Sequence, residues 1–257
     1  MRLTVLVLVA AACGAETRQP VPVAPVIPAA ATAPASPVNA PQVPVVVQAP
    51  TLTPQENAKA LCARLAKDTG TEWSAYVDDR GNEIRHLSPM KPVTFGSGSA
   101  EQRARAFFER YAAELHASDE ELRIMPDQSG PEYVRFAHYL KGTELPVFLT
   151  VSSASFTKNG ELYMTQPGFR AGLGALPRRA SVSAADARKT VEAEWRRQCP
   201  NVTPANIAEL ALGVRGEPTL PPLLVWQATF SFAYDSGRCQ MQHISIDAMT
   251  GAVAADH

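Results

Sequence analysis

The stretch Leu223–Tyr234, LLVWQATFSFAY, alternates in polarity and is rich in β-branched and aromatic residues, a pattern typical of a half-buried strand. Residues 235–238 (DSGR) follow with a glycine placed for a tight turn, and 240–246 (QMQHISI) resume the alternation. A second turn at 247–251 (DAMTG) leads to a short apolar tail at 252–254. This stretch of the chain therefore predicts an antiparallel β-hairpin with a short final strand.

Two capped helices are predicted ahead of such strands. Ser99 and Gln102 form a capping box, because the serine side chain accepts an orphan amide while the glutamine reaches back to the serine backbone. This helix is expected to run to about His116. The residues that it buries recur at helical spacing: Ala104, Phe107, Phe108, Tyr111 and Leu115. A second helix is expected to start at Ser183 and to end before Cys199, burying Ala187, Val191 and Trp195.

The remaining pattern completes the expected fold. A short leading helix is predicted over Pro54–Lys67. Strands are predicted near 72–77, 82–87, 121–126, 132–140, 145–157, 160–166, 208–214, 223–234, 240–247 and 251–254. Strands and helices that are segregated in this way indicate an α+β fold, in which two helices pack on antiparallel sheets and a disordered tether precedes them.

The N-terminus predicts export. Arg2 precedes a short apolar core, Leu3–Val9, and small residues at 10–12 come directly before Cys13. Small residues followed by cysteine resemble a bacterial lipobox, so residues 1–12 are expected to be removed and Cys13 to carry the lipid. The alternative is an ordinary secretory signal cut at the same bond. Either interpretation takes the protein out of the cytoplasm. The expected location is the cell envelope, at the outer membrane if the cell is Gram-negative, with the lipid as the only membrane attachment.

Residues 13–54 are expected to form a tether. From Gln19 to Pro54 the chain has ten prolines and no charged residue, which disfavours a helix or a packed core. An extended chain of this kind would hold a folded domain away from the membrane surface. The alternative is a passive low-complexity leader.

Charge and cysteine content exclude several classes of function. Lys and Arg number 24 against 25 for Asp and Glu, and this balance argues against nucleic-acid binding, which needs a basic surface. With Cys13 lipidated, two of the three other cysteines are expected to pair in an oxidising compartment. The predicted pair is Cys199 with Cys239, and the rival is Cys62 with either of them. Because no Cys-x-x-Cys motif is present, no metal site is predicted.

No catalytic set is predicted, and no cofactor. A thermolysin-like peptidase needs two histidines four residues apart on a helix, and none of the five histidines has that spacing. The Gly-Ser-Gly-Ser stretch at 96–99 lacks the nucleophile-elbow pattern and leads into a capped helix. His138 falls in a predicted strand, where a structural histidine is favoured over a catalytic one.

Two groups of motifs carry a resemblance to known domains. Trp226, followed by Ile-Asp-Ala-x-Thr-Gly at 246–251, resembles the PepSY module of protease propeptides. Upstream, 132–140 (EYVRFAHYL), Gly142, 146–148 (PVF) and the hairpin 156–162 resemble the fungalysin/thermolysin propeptide (FTP) domain. The FTP pattern carries glutamine at the position of His138.

The resemblance implies an FTP-like domain at 55–176 and a PepSY-like domain at 177–257, with no peptidase domain after them. It implies a non-enzymatic partner that binds a secreted thermolysin-like metallopeptidase in trans, and inhibits it or assists its folding. The residues proposed to contact that partner are His138, Asp256 and His257. Residues 254–257 are expected to enter the peptidase cleft, where His257 or the terminal carboxylate would approach the metal. The alternatives are a structural or ligand-binding envelope lipoprotein, and the remnant of a proenzyme.

Overall fold

The computed structural model describes residues 52–78, 83–199, 207–217, 220–230 and 243–254. The signal segment, Cys13, the tether up to residue 51, Cys239 and the tail residues Asp256 and His257 lie outside these ranges, so the expectations for them stay predictions. The described residues belong to one compact unit that starts at Ala49.

Three α-helices form within the described ranges, each starting at a residue that caps it. Helix α1 (Pro54–Thr69) begins after Thr53, whose side chain accepts from the Glu56 amide, and it ends at Gly70 in the left-handed conformation. Helix α2 (Ala100–Arg110) begins after Ser99 with the capping box predicted from the sequence. Helix α3 (Ala184–Gln198) begins after Ser183. No helix in this part of the chain is both long enough and apolar enough to cross a membrane.

Helix α2 is shorter than predicted. It ends at Arg110, and residues 111–116 continue as irregular turns up to His116, which takes the left-handed conformation. Tyr111 and Leu115 are nevertheless buried as expected. The apolar spacing therefore identified the buried face but not the helix end, because the turns keep the same side of the chain against the core.

Nine strands of the described residues form one sheet. They are β1 (Trp73–Asp78), β2 (Glu83–Pro89), β3 (Glu120–Ile124), β4 (Tyr133–Leu140), β5 (Pro146–Phe156), β6 (Leu162–Gln166), β7 (Ile207–Arg215), β8 (Leu223–Phe230) and β9 (His243–Asp247). The order β1-β2-β6-β5-β7-β8-β9 is branched, because β4 also pairs with β5 and carries β3 on its far side. The predicted α+β class is confirmed, with α1 as a third helix.

The sheet differs from the expected separate antiparallel sheets in one place. Strands β5 and β7 pair in parallel, with Val147 opposite Val214 and Phe148 opposite Arg215. All other strand pairs are antiparallel. The predicted FTP-like and PepSY-like segments are therefore joined in one mixed sheet. Their boundary at 176/177 falls in the connector before α3 and stays a prediction.

The core lies between the helices and one face of the sheet. Its larger part is aromatic: the Phe107 ring stacks on Trp73 with centroids 6.0 Å apart and meets Phe95 edge-on at 5.1 Å. Under α3 a smaller core contains Trp195, Val191, Ala228 and Ile246. A third group joins the two across the parallel pair, and it consists of Leu140, Val147, Leu173, Val214, Leu224 and Ala248. The opposite face of β1, β2, β6, β5 and β4, called the open face below, carries the alternate side chains, including Tyr76, His86 and Arg135.

Candidate functional site

A buried set of polar side chains crosses three neighbouring strands on the helix side of the sheet. The Nδ1 atom of His138 on β4 contacts a carboxylate oxygen of Glu120 on β3, and its Nε2 atom lies 2.8 Å from the Ser152 hydroxyl on β5. All three residues are buried. Because a carboxylate only accepts hydrogen bonds, Nδ1 carries a proton, and in the neutral ring Nε2 accepts the serine proton. We call this set the Glu120–His138–Ser152 network.

The network is closed by two backbone amides. The Gly168 N–H donates to the Ser152 oxygen at 3.0 Å, and the Arg170 N–H donates to the second Glu120 oxygen at 2.6 Å. Every polar atom of the three side chains therefore has a partner. Since each partner comes from a different part of the chain, the network fixes the register of β3, β4 and β5 and the course of the segment after β6.

Arg170 also contacts β2 and the segment that precedes β8. Its guanidinium pairs with Glu83 on β2 and donates to the Leu220 carbonyl, 2.9 Å away, just before β8. Burial raises the pKa of Glu83 above its ordinary value, although the Arg170 charge acts in the opposite direction. A desolvated carboxylate of this kind is held in place by the arginine.

The order serine, histidine, carboxylate matches the arrangement of a hydrolase triad, but the environment does not allow that chemistry. Ser152 is 0% exposed, so no substrate carbonyl can approach its oxygen. The Gly168 amide occupies one acceptor position of the hydroxyl. The arrangement therefore serves to satisfy buried polar groups and to hold the strands together.

Sequence reasoning selected His138 but missed its two partners. The structure buries the His138 side chain, so a protein partner could touch it only if the sheet opened. This argues against the proposed partner contact at His138. The signal that could have found them is the alternation of the strands: Glu120 and Ser152 lie at positions of β3 and β5 whose side chains face the core. Their distance from His138 along the chain hid the association.

A second feature is a break in the sheet along the edge of β5 that does not pair with β4. Strand β7 pairs with β5 at residues 147–148, and β6 pairs with it at 153–156. Because β6 is antiparallel and β7 is parallel to β5, their carboxyl ends meet at the gap between these two pairings. Neither strand pairs with residues 149–152 of β5, so the two strand ends leave a crevice there, and crevices at strand ends commonly bind ligands.

Strand β5 itself is distorted at the gap. On its other side, Ala137 lies opposite Val151 while His138 lies opposite Val147, so residues 148–150 form a bulge. Leu149 at its apex has φ of 62° and is 61% exposed, a strained conformation for a leucine. Glycines flank the bulge because a Cβ at Gly168 would lie 2.5 Å from the Val151 oxygen, and one at Gly216 would lie 2.5 Å from the Phe148 oxygen.

A cleft of about 370 Å³ opens at this break on the open face. Polar side chains cross its floor in a row, each on the next strand: Arg135 opposite Ser153, then Gln166, His86 and Tyr76. Ser153 donates to the Gln166 amide oxygen at 3.1 Å, and the Gln166 amide nitrogen lies 3.3 Å from His86 Nδ1. We call this the Arg135 cleft.

Arg135 differs from the neighbouring arginines. Arg85 pairs with Asp78 at 3.0 Å, and Arg123 on β3 pairs with Glu121 and Glu144. Within the described ranges, the Arg135 guanidinium makes no ion pair, and its Nε atom is buried without a hydrogen-bond partner. A guanidinium stays charged, so within the described part of the cleft Arg135 is a cation without an anionic partner.

A larger cavity of about 520 Å³ lies on the other side of Glu83, beside the start of α1. The charges on its wall already have partners, because Glu83 pairs with Arg170 and Glu114 with Arg64. Among the described residues, no group of three or more metal-ligating side chains comes together at either cavity or elsewhere.

The two cysteines that the structure describes differ in oxidation state. Cys199 at the end of α3 is disulfide-bonded, whereas Cys62 on α1 is a free thiol whose pKa is raised by burial. A bridge between Cys62 and Cys199 is therefore excluded. Cys239 lies outside the described ranges, so its pairing with Cys199 stays a prediction.

Comparison with known proteins does not assign the chain to a family, since no protein-family model and no curated protein matches it.

Proposed function

We propose that this chain is a non-catalytic binding protein of the cell envelope that acts on a secreted thermolysin-like metallopeptidase. It inhibits the peptidase or assists its folding, and the lipid on Cys13 and the tether hold it at the membrane. The observation that carries the proposal is the contrast between the two faces of the sheet. The one set of residues with the order of a catalytic triad in the described structure is buried, whereas the open face presents apolar side chains to solvent.

The exposed side chains on the open face suit contact with a protein. Tyr76 is 60% exposed and Leu149 is 61% exposed, and both border the Arg135 cleft. Aromatic and apolar residues of this kind form the centres of protein interfaces. A stable complex buries roughly 800 Å² on each partner, so it would need most of this face rather than these two side chains alone.

The resemblance supports the choice of partner. Its FTP-like residues Arg135 and Phe136 lie on β4, and its 146–148 motif begins β5 and enters the bulge. The PepSY-like residue Trp226 lies on β8, which leads by way of β9 to the turn at Asp247–Gly251. These motifs fall on strands of one sheet, so they could act together on one partner.

The test is inhibition and complex formation with a panel of thermolysin-like enzymes, using the full mature protein. We expect the double variant Tyr76→Asp, Leu149→Asp to weaken binding at least tenfold. The matched control is Met90→Asp, which places the same charge on a residue that is 72% exposed in the loop after β2, and it should bind as the wild type does. Absence of a complex with any envelope peptidase would refute the proposal.

The predicted role of Asp256 and His257 has its own test. Removal of residues 254–257 should weaken inhibition if this tail enters the peptidase cleft. Equal inhibition by the truncated and intact proteins would reject the tail contact and leave the sheet face as the binding surface.

A second candidate function is that of a ligand-binding envelope protein. The Arg135 cleft favours it, because that cleft combines a shaped volume with an unpaired cation. Recovery of the mature protein from envelope extract without any peptidase, but with a small molecule, would favour this alternative.

A further inference from the structure

We propose that the Arg135 cleft binds a monocarboxylate that carries a short apolar group. The guanidinium of Arg135 would hold the carboxylate, and Leu149 would cover the apolar part. The site does not depend on whether a peptidase binds the open face.

The charge of the cleft selects the charge of the ligand. Two other charged residues among those described line the cleft, and both are already paired: Arg85 with Asp78, and Glu83 with Arg170. Among the described residues that line the cleft, the charge that remains without an ion pair is the cation of Arg135. A monoanion neutralises this charge, whereas a phosphate dianion would leave excess negative charge close to Glu83.

The shape of the guanidinium favours a carboxylate as the anionic group of the ligand. Its planar fork of N–H donors matches the two oxygens of a carboxylate, and such pairs form two parallel hydrogen bonds. The buried Nε of Arg135 has no partner in the described structure, and leaving a buried donor unpaired is unfavourable. A bound carboxylate would supply the missing acceptor. Gln166 and His86 also line the cleft, and their side chains are joined to each other at 3.3 Å.

The strained bulge supplies the apolar contact. Leu149 is held at a positive φ and stays largely exposed on the cleft wall, a conformation that its own packing does not explain. Backbone strain of this kind persists where the surrounding structure imposes it, and it often marks a binding site. With about 370 Å³ available, the cleft fits a ligand of a dozen or so heavy atoms rather than a long chain.

The experiment is an NMR titration of the mature protein with N-acetyl-leucine, and with N-acetyl-leucinamide as the uncharged match. We expect the acid to bind and to shift the Arg135 side-chain Nε–H resonance, and the amide not to bind. Equal binding of acid and amide would overturn the proposal, and so would phosphate that binds as tightly as the acid. To separate two sources of the carboxylate, N-acetyl-leucine, which stands for a peptide C-terminus, is compared with hexanoate, which stands for a fatty acid; preferential binding of either identifies the source and supports the site.

Four variants locate the site. Arg135→Gln should weaken binding of N-acetyl-leucine at least tenfold, and Arg135→Lys should also lose most of it because lysine lacks the fork. The control Arg123→Gln removes the same charge from the neighbouring strand β3, outside the cleft, and should change affinity less than about twofold. Leu149→Gly relieves the strain while it removes the apolar side chain, so it should weaken binding severalfold without loss of thermal stability. Unchanged affinity in Arg135→Gln would refute the proposal.

Discussion

His138 and Arg135 lie on the same strand, β4, and differ in how the fold uses their polar groups. His138 faces the helices, is buried, and has both ring nitrogens in hydrogen bonds. Arg135 faces the other way and makes no ion pair within the described residues. A histidine with every atom occupied contributes to stability, whereas an arginine with an unpaired charge is available to a ligand. The sequence alone makes the histidine look the more functional of the two.

The largest expected effect is the loss of stability when Glu120, which holds His138 in the buried network, is replaced. Glu120→Leu removes the partner of both the His138 ring and the Arg170 amide, so it leaves two buried donors unpaired. We expect the free energy of unfolding to fall by about 3–5 kcal/mol, measured by urea denaturation. Arg135→Gln should stay within about 1 kcal/mol of the wild type, because no described side chain depends on it. If the two variants lose equal stability, the distinction between the faces is wrong.

The two described cysteines give the next comparison. Reduction of the Cys199 disulfide should lower the free energy of unfolding by about 2–4 kcal/mol, because the unfolded chain gains freedom. Cys239→Ser should have the same effect if Cys239 is the partner. Cys62→Ser serves as the control and should leave the response to reductant unchanged, since Cys62 is free. A response to reductant that survives in Cys239→Ser would assign the bridge to Cys13 instead.

Ser152 tests whether the Glu120–His138–Ser152 network is structural or catalytic. Ser152→Ala leaves the Gly168 amide and the His138 ring each short of one partner, so we expect a loss of about 1–3 kcal/mol in unfolding free energy. Because Ser152 is fully buried, a fluorophosphonate probe should not label the native protein. Labelling of the wild type that disappears in Ser152→Ala would show that the network is reached by substrates and is catalytic.

The smallest expected effect concerns Glu83, which borders both the larger cavity and the Arg135 cleft. Burial raises its pKa above 4.5, so between 4.5 and the folded pKa the folded state binds more protons than the unfolded state. The Glu83 contribution to the free energy of unfolding therefore falls as pH rises through this interval. The difference in stability between wild type and Glu83→Gln should follow that decline in urea titrations at a series of pH values.

Glu144 provides the control for the sign of this effect. Its hydrogen bond from Arg123 lowers the pKa of this exposed carboxyl. The Glu144 contribution is therefore present above 4.5 and is lost as pH falls through the folded pKa. Profiles for Glu83→Gln and Glu144→Gln that change in the same direction would contradict this assignment.

Much of the local structure followed from neighbouring residues. The capping box at Ser99 and the apolar spacing on α2 and α3 predicted where these helices begin and which side chains are buried. The alternation in 132–140 and 145–157 predicted β4 and β5. These features rest on contacts between residues a few positions apart, so the sequence carries them directly. The same reasoning missed the capping box at Thr53 and Glu56, although its spacing was equally visible.

The site depended on contacts that no local pattern encodes. Glu120, His138 and Ser152 meet because three strands adopt one register. Arg135 makes no ion pair among the described residues, because Glu83, the acidic residue that borders its cleft, pairs with Arg170. The parallel pairing of β5 with β7 joins residues that are 67 positions apart, at Val147 and Val214. The sequence by itself determined the α+β class, the helix starts and the buried side chains, because these follow from propensity, capping and periodicity. Only the tertiary structure decided the single mixed sheet, the bulge at Leu149 and the separate uses of His138 and Arg135, because each depends on which distant strands pair and in what register.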